Sequence, residues 1–248
     1  MDKNKPVAIH WFRQDLRTLD NISLFEACQN NCLAIYIFDP QINIGAASKV
    51  WLHHSLHKLN EKLNNNLNIY FGDSKKIILD LLKKYPIKDV YWNRCYEPER
   101  IKNDTDIKET LIKLGINVKS FNASLLWEPF NVYKEDKNPY KIFSAFYRAA
   151  IKIEPNAIFN KMPNLENCLK DDCLSIDDLK LLPKIPWDKN MLNHWQIGQD
   201  SALEKFNYFL HNSLSSYKQG RDFPSLQKVS YLSPHLHFGE ISPHYLRS

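Results

Sequence analysis

Residues 10–21 read HWFRQDLRTLDN, with four charges of alternating sign, Arg13, Asp15, Arg17 and Asp20, set among aromatic and aliphatic neighbours without a glycine. Guanidinium and carboxylate groups at this density form forked, charge-assisted hydrogen bonds. The pattern predicts an ion-paired brace against a neighbouring domain in preference to a catalytic cluster. His53 and His57 have the i, i+4 spacing at which two imidazoles can share a metal. Glu is absent from the H-E-x-x-H place and no third ligand is obvious, so solvated helix histidines and no metal are expected. Cys95 has no nearby histidine base and reads as a buried structural thiol. The run YWNRCYEPER at 91–100 sets aromatic faces beside polar tips, which suits a flat conjugated ligand as well as ordinary rim packing.

The elements that must position these groups are legible in the first 121 residues. Runs at 7–12, 33–38, 69–72, 90–93 and 118–121 are nearly continuously apolar, as strands covered on both faces are. Between them Ile77, Ile78, Leu81 and Leu82 make one helical stripe, capped by Asp73 or Ser74, and Ile107, Leu111 and Leu114 make another. This alternation predicts an α/β fold with a doubly wound parallel five-stranded sheet. Ligands of such sheets lie beyond the carboxyl ends of the strands, where residues 10–21 and 91–100 fall. The six glycines never form G-x-G-x-x-G or a P-loop, which disfavours a conventional dehydrogenase or kinase.

The pattern changes near residue 130. Residues 141–152 predict an amphipathic helix with Ile142, Phe143, Phe146 and Ala150 on one side. Residues 153–200 carry Pro155, Pro163, Pro183 and Pro186 and predict a long connector on the surface of the first domain. A further helix follows at 201–210, with Ala202, Phe206, Phe209 and Leu210 at helical spacing. Expected divisions are therefore 1–130, 131–200 and 201–248. A net charge of +5 over 248 residues, spread along the chain, is only weakly compatible with a phosphate-bearing partner. The five cysteines lack a C-x-x-C pair, so zinc and a disulfide framework are not expected. No apolar run reaches the roughly 18 residues of a membrane span, and a cytoplasmic location is expected.

Six segments, WFRQDLRTLDN, NRCYEPER, SFNASLLWEP, NPYKIFSAFYRA, YKQGRDFP and YLSPHLHFGEIS, occur in the order in which the DNA photolyase and cryptochrome family carries its motifs. The chain resembles that family over essentially its whole length, and bacterial class I cyclobutane pyrimidine dimer photolyases in particular. The resemblance implies an N-terminal α/β domain that holds an antenna chromophore, a connector, and the start of an α-helical FAD-binding domain. It assigns FAD contacts to Tyr217, Val229, Ser230, Tyr231, Leu232 and Ser233, and a DNA-backbone contact to Arg221. Val229 replaces a usual threonine and so loses one hydroxyl donor to the flavin phosphates. An internal ion pair of Arg221 with Asp222 or Asp200 is the alternative. The antenna pocket is assigned to Trp11, Arg13, Tyr96, Glu99 and Arg100. Glu99 and Arg100 stand where folate-using relatives often carry Asn and Glu, so methenyltetrahydrofolate is unsupported, and a deazaflavin or an empty pocket stays open.

The activity implied by the resemblance is light-driven, FAD-dependent repair of cyclobutane pyrimidine dimers in DNA by electron transfer, with the lesion flipped from the duplex. Catalytic residues are expected in a C-terminal part that this chain lacks. A homologue truncated in this way is expected to be inactive alone unless a second chain completes the flavin cup. A cryptochrome-like photoreceptor and a stand-alone antenna-binding module are the alternatives.

Overall fold

The computed structural model describes residues 6–42 and 44–247. Its centre is a five-stranded, wholly parallel sheet in the order β3-β2-β1-β4-β5, formed by β1 (Val7–Phe12), β2 (Asn31–Phe38), β3 (Asn68–Phe71), β4 (Ile87–Asn93) and β5 (Asn117–Phe121). All six residues of β1 are buried. Their side chains alternate between the two faces, as the two-residue period of a strand requires. Ala8 and Phe12 enter one core, with Leu24 of α1 (Ile22–Ala27) and Leu52, Leu56 and Leu59 of α2 (Ala46–Lys62). Val7, Ile9 and Trp11 enter the other, with Ile78 and Leu81 of α3 (Ser74–Lys84) and Ile107 and Leu111 of α4 (Pro98–Lys113). The expected doubly wound sheet is therefore present, and its switch point lies between β1 and β4.

Local chemistry sets the helix starts. The Asn21 side chain accepts the Leu24 amide, the Asp73 carboxylate accepts the Lys76 amide at 2.7 Å, and Pro98 opens α4 where its missing N–H costs nothing. Leu114 departs from its expected place in the buried stripe. It is the C-cap of α4, past the last helical turn, and is 58% exposed.

The expected amphipathic helix spans α5 (Phe143–Ala150), but only Ala150 of its apolar side is buried. Ile142 and Phe143 are exposed, and Phe143 stacks on Tyr147 of the same helix at 5.8 Å instead of entering a core. The segment that follows is more deeply integrated than a surface connector. The Leu169 amide donates to the Cys32 carbonyl where β3 has not yet begun, and the Leu174 amide donates to Ile69 on the outer edge of β3. Cys168, Ile176, Leu179 and Leu181 thereby join the first core. Asp171 fastens this strip: its carboxylate accepts the Tyr70 and Tyr85 hydroxyls at 2.6 and 2.7 Å and the Lys84 ammonium, while its own amide donates to Asn68. Beyond it lie α6 (Asp188–Leu192), α7 (Gln199–Asn212), α8 (Tyr217–Gly220), α9 (Ser233–Phe238) and α10 (Pro243–Arg247).

Candidate functional site

The loop after β1 meets the turn after α9. Leu16 donates its amide to the Phe238 carbonyl at 3.1 Å, and Gly239 ends α9 at φ +68° with its Cα against the Gln14 carbonyl. A Cβ at Gly239 would overlap that oxygen, so two separate demands, left-handed backbone and close approach, select glycine here. Arg17 is buried, and its guanidinium donates to the carbonyls of Leu19, Asp20, Ala123 and Gly239 at 2.8–3.0 Å. The Gln199 side-chain oxygen accepts the Thr18 and Leu19 amides. Asp20 accepts the Phe159 amide and the Ser242 hydroxyl. The charged loop is thus a brace, as its pattern predicted, but Arg17 grips carbonyls and not a carboxylate.

Asp15 and Arg13 organise the other side of the loop. Burial alone would raise the Asp15 pKa, but the His10 imidazole 3.5 Å away and hydrogen bonds from the Arg13 amide and Asn93 outweigh it and hold the group below the usual carboxylate range. The Arg13 guanidinium lies 4.6 Å from the Trp11 ring centroid, donates to Asp104 at 2.5 Å and also to the Asn93 carbonyl. Its Nε is buried and has no hydrogen-bond partner among the described residues. With Tyr36, Phe38 and Arg100, Trp11 and Arg13 line a cleft beyond the carboxyl ends of β1 and β2. An aromatic ledge edged by charges of both signs, Arg13 and Arg100 with Asp39 and Asp104, can hold a flat conjugated ring system with polar edges.

Tyr96 and Glu99, both expected in that pocket, are not among its walls. Tyr96 is captured by the part-buried Arg94–Glu128 ion pair, donating its hydroxyl to Glu128 at 2.6 Å, and its pKa is raised by burial and by that carboxylate. Glu99 lies exposed in the first turn of α4, where the helix dipole favours a carboxylate. Tyr36 was missed; an aromatic residue near the carboxyl end of a central strand was the available signal. Cys95 is buried, and burial raises its thiol pKa, as a structural cysteine requires. His53, expected to be solvated, is buried, because the turn carrying Asp177 folds over α2.

A second unforeseen group secures α9. Glu240 accepts the Trp51 indole N–H at 3.1 Å and the His235 Nδ1–H at 2.5 Å, and all three side chains are buried. Two hydrogen-bonding residues flanking a helix-ending glycine in HLHFGE were the only local sign of this pair.

The family model for DNA photolyase matches residues 8–164. The chain belongs to the DNA photolyase family. It is 36% identical to a deoxyribodipyrimidine photo-lyase of Agrobacterium fabrum over 97% of its own length and 52% of that protein's. It is 29% identical to cryptochrome-1 of Arabidopsis thaliana over 95% of its own length and 36% of that protein's. A bacterial class III photolyase from Agrobacterium tumefaciens superposes with a TM-score of 0.89 at 33% identity, covering 99% of this chain and 53% of that one. The photolyase class named among these relatives is class III and not the class I that the motifs suggested, and the chain spans about half the length of the photolyases it matches. Among the described residues no helix is long and apolar enough to cross a membrane.

The positions expected to contact FAD lie in α8 and in the loop leading into α9. Tyr217 packs edge-on to Phe209 at 5.7 Å, and the Arg221 guanidinium sits 5.8 Å from the Tyr217 ring. Arg221 pairs with Asp222 at 3.5 Å and is more than half exposed, whereas Asp200 pairs with Lys62. Ser213 donates to the Gln227 carbonyl, which lays the loop before Val229 against the C-terminal end of α7. Tyr231, at φ +54°, is exposed, Leu232 is buried, and Ser230 and Ser233 have no side-chain partner among the described residues. Hydroxyls and an aromatic ring are groups of the kind that contact a phosphate-bearing aromatic cofactor. The structure does not bring them to the Trp11–Arg13 cleft.

Proposed function

We propose that this chain acts in light-driven, FAD-dependent repair of cyclobutane pyrimidine dimers in DNA. In this reading residues 1–130 form the antenna unit, 131–200 the connector, and 201–248 contribute a wall of the flavin site. One observation carries the reading: Tyr217 of α8 and Ser233 of α9 stand exposed, with half-buried Ser230 in the loop before α9, and the Arg17 and Glu240 contacts clamp the end of α9 to the α/β unit. Ser230 and Ser233 donate to phosphate oxygens, Tyr217 presents an aromatic face, and Arg221 offers a guanidinium to a DNA phosphate. The flavin, when bound, supplies the electron that splits the dimer ring. No side chain here is asked to act as acid or base; the protein's part is to hold the flavin, receive a flipped lesion and exclude water.

The Trp11–Arg13 cleft favours a second, compatible role as the antenna site. Its buried, unpartnered Arg13 Nε suits an anionic or carbonyl-bearing heterocycle of pterin or deazaflavin type. The test is reconstitution with FAD, desalting and an absorption spectrum, followed by a dimer-repair assay under near-ultraviolet light. Retained flavin and light-dependent loss of dimers are expected of the assembled photolyase. A near-ultraviolet band from another chromophore, without flavin, would leave an antenna-binding module. Light-dependent partner binding without dimer loss would favour a cryptochrome-like role.

A further inference from the structure

On α2, His53 and His57 present their Nε2 atoms on one helical face, and the turn at Asp177–Leu179 brings Asp177 over them. Asp177 Oδ1 lies 3.4 Å from His57 Nε2 and 3.8 Å from His53 Nε2, and the three donor atoms all fall within 4.8 Å of one another. The longer separation exceeds hydrogen-bond range. Hydrogen bonding alone serves His53 poorly. With the proton on Nε2, its buried Nδ1 has no donor to accept from; with the proton on Nδ1, that N–H has no acceptor and the Nε2 lone pair faces a carboxylate oxygen.

We propose that His53, His57 and Asp177 bind one first-row divalent cation of the zinc class. A zinc ion about 2.0–2.2 Å from each donor separates tetrahedral ligands by about 3.4 Å, close to the two spacings observed. Two imidazoles with one carboxylate select such an ion over magnesium or calcium, which prefer oxygen ligands. Asp177 is exposed and His57 half-buried, so water can complete the coordination and the ion can enter from solvent on the Asp177 side. The ligands join α2 to the turn whose Ile176 and Leu179 cover the first core, 120 residues away in sequence from His57. Occupancy therefore staples the connector to the α/β unit. This role is independent of flavin or DNA.

The 248-residue chain without an affinity tag, stripped with chelator, is titrated with zinc chloride by calorimetry and with cobalt(II) chloride by visible absorption. One ion per chain with a dissociation constant on the order of micromolar or tighter is expected, together with tetrahedral or five-coordinate cobalt bands and a zinc-dependent rise in Tm. His57→Ala and Asp177→Asn, at a half-buried and an exposed position and checked for folding by circular dichroism, should each weaken binding at least tenfold. His211→Ala, at an exposed histidine of α7, should not change it. Absence of saturable binding below about millimolar zinc, or equal affinity in the wild type and the His57→Ala/Asp177→Asn double variant, would overturn the site.

Discussion

Single residues at the brace carry requirements that their neighbours cannot relax. Gly239 is held at positive φ with its Cα on the Gln14 carbonyl, so Gly239→Ala adds backbone strain to steric overlap. A loss of at least about 2 kcal/mol is expected in urea denaturation. A change within about 0.5 kcal/mol would show that the two loops part without cost. Trp51 is a different case, because its indole N–H donates to a buried carboxylate while its ring stacks on Phe238 at 6.0 Å. Trp51→Phe keeps an aromatic ring and removes the donor, and should cost about 1.5–3 kcal/mol, the range for a hydrogen bond to a charged group. An unchanged denaturation midpoint would mean that His235 alone satisfies Glu240.

At the scale of elements, the segment after α5 is where composition and structure part most. Its prolines and polar residues read as surface connector, yet Cys168, Ile176, Leu179 and Leu181 complete a core that α1 and α2 leave open. Asp171 is its anchor. Burial would raise the carboxyl pKa, but the hydrogen bonds from Lys84, Tyr70 and Tyr85 outweigh burial and keep it below the ordinary value. Because the folded value lies below the unfolded one, about 3.9, this stabilisation is fully present above that pH and is lost as pH falls through the folded value. Asp171→Asn should therefore cost about 1.5–3 kcal/mol at pH 7. The gap to wild type should narrow steadily in denaturation series taken below about pH 4. A gap that is the same at pH 7 and pH 3 would remove the charge from the explanation.

For the whole molecule, the consequence of the brace is cooperativity. The Leu16 amide, bonded to Phe238, and the Glu240 amide, bonded to the His235 carbonyl, lie on opposite sides of the contact between the first loop and α9. If α9 leaves the sheet only on global unfolding, both amides should exchange hydrogen with the same free energy as the β1 amides. Faster exchange at Leu16 and Glu240 than in β1 would instead place α9 in a separate unit that opens first. The same clamp fixes how the end of α9 is held relative to the Trp11–Arg13 cleft, which His237 and Phe238 help to line.

By itself the sequence determined the strands to within three residues, a helix cap at Asp73 or Ser74 and the parallel doubly wound sheet, because strand and helix periods and capping chemistry act between residues close in the chain, and its six ordered motifs carried the resemblance to the family. It also showed that residues 13–20 are a brace. Only the tertiary structure decided what the brace grips. Arg17 meets the Gly239 carbonyl 222 residues away, and Tyr96 turns from the cleft to Glu128 because Arg94 has drawn that carboxylate inward. His53 likewise gains Asp177 from a turn whose position no local pattern specifies. Such meetings depend on how packed layers bring distant segments together, and periodicity carries no record of which loop will cover which helix.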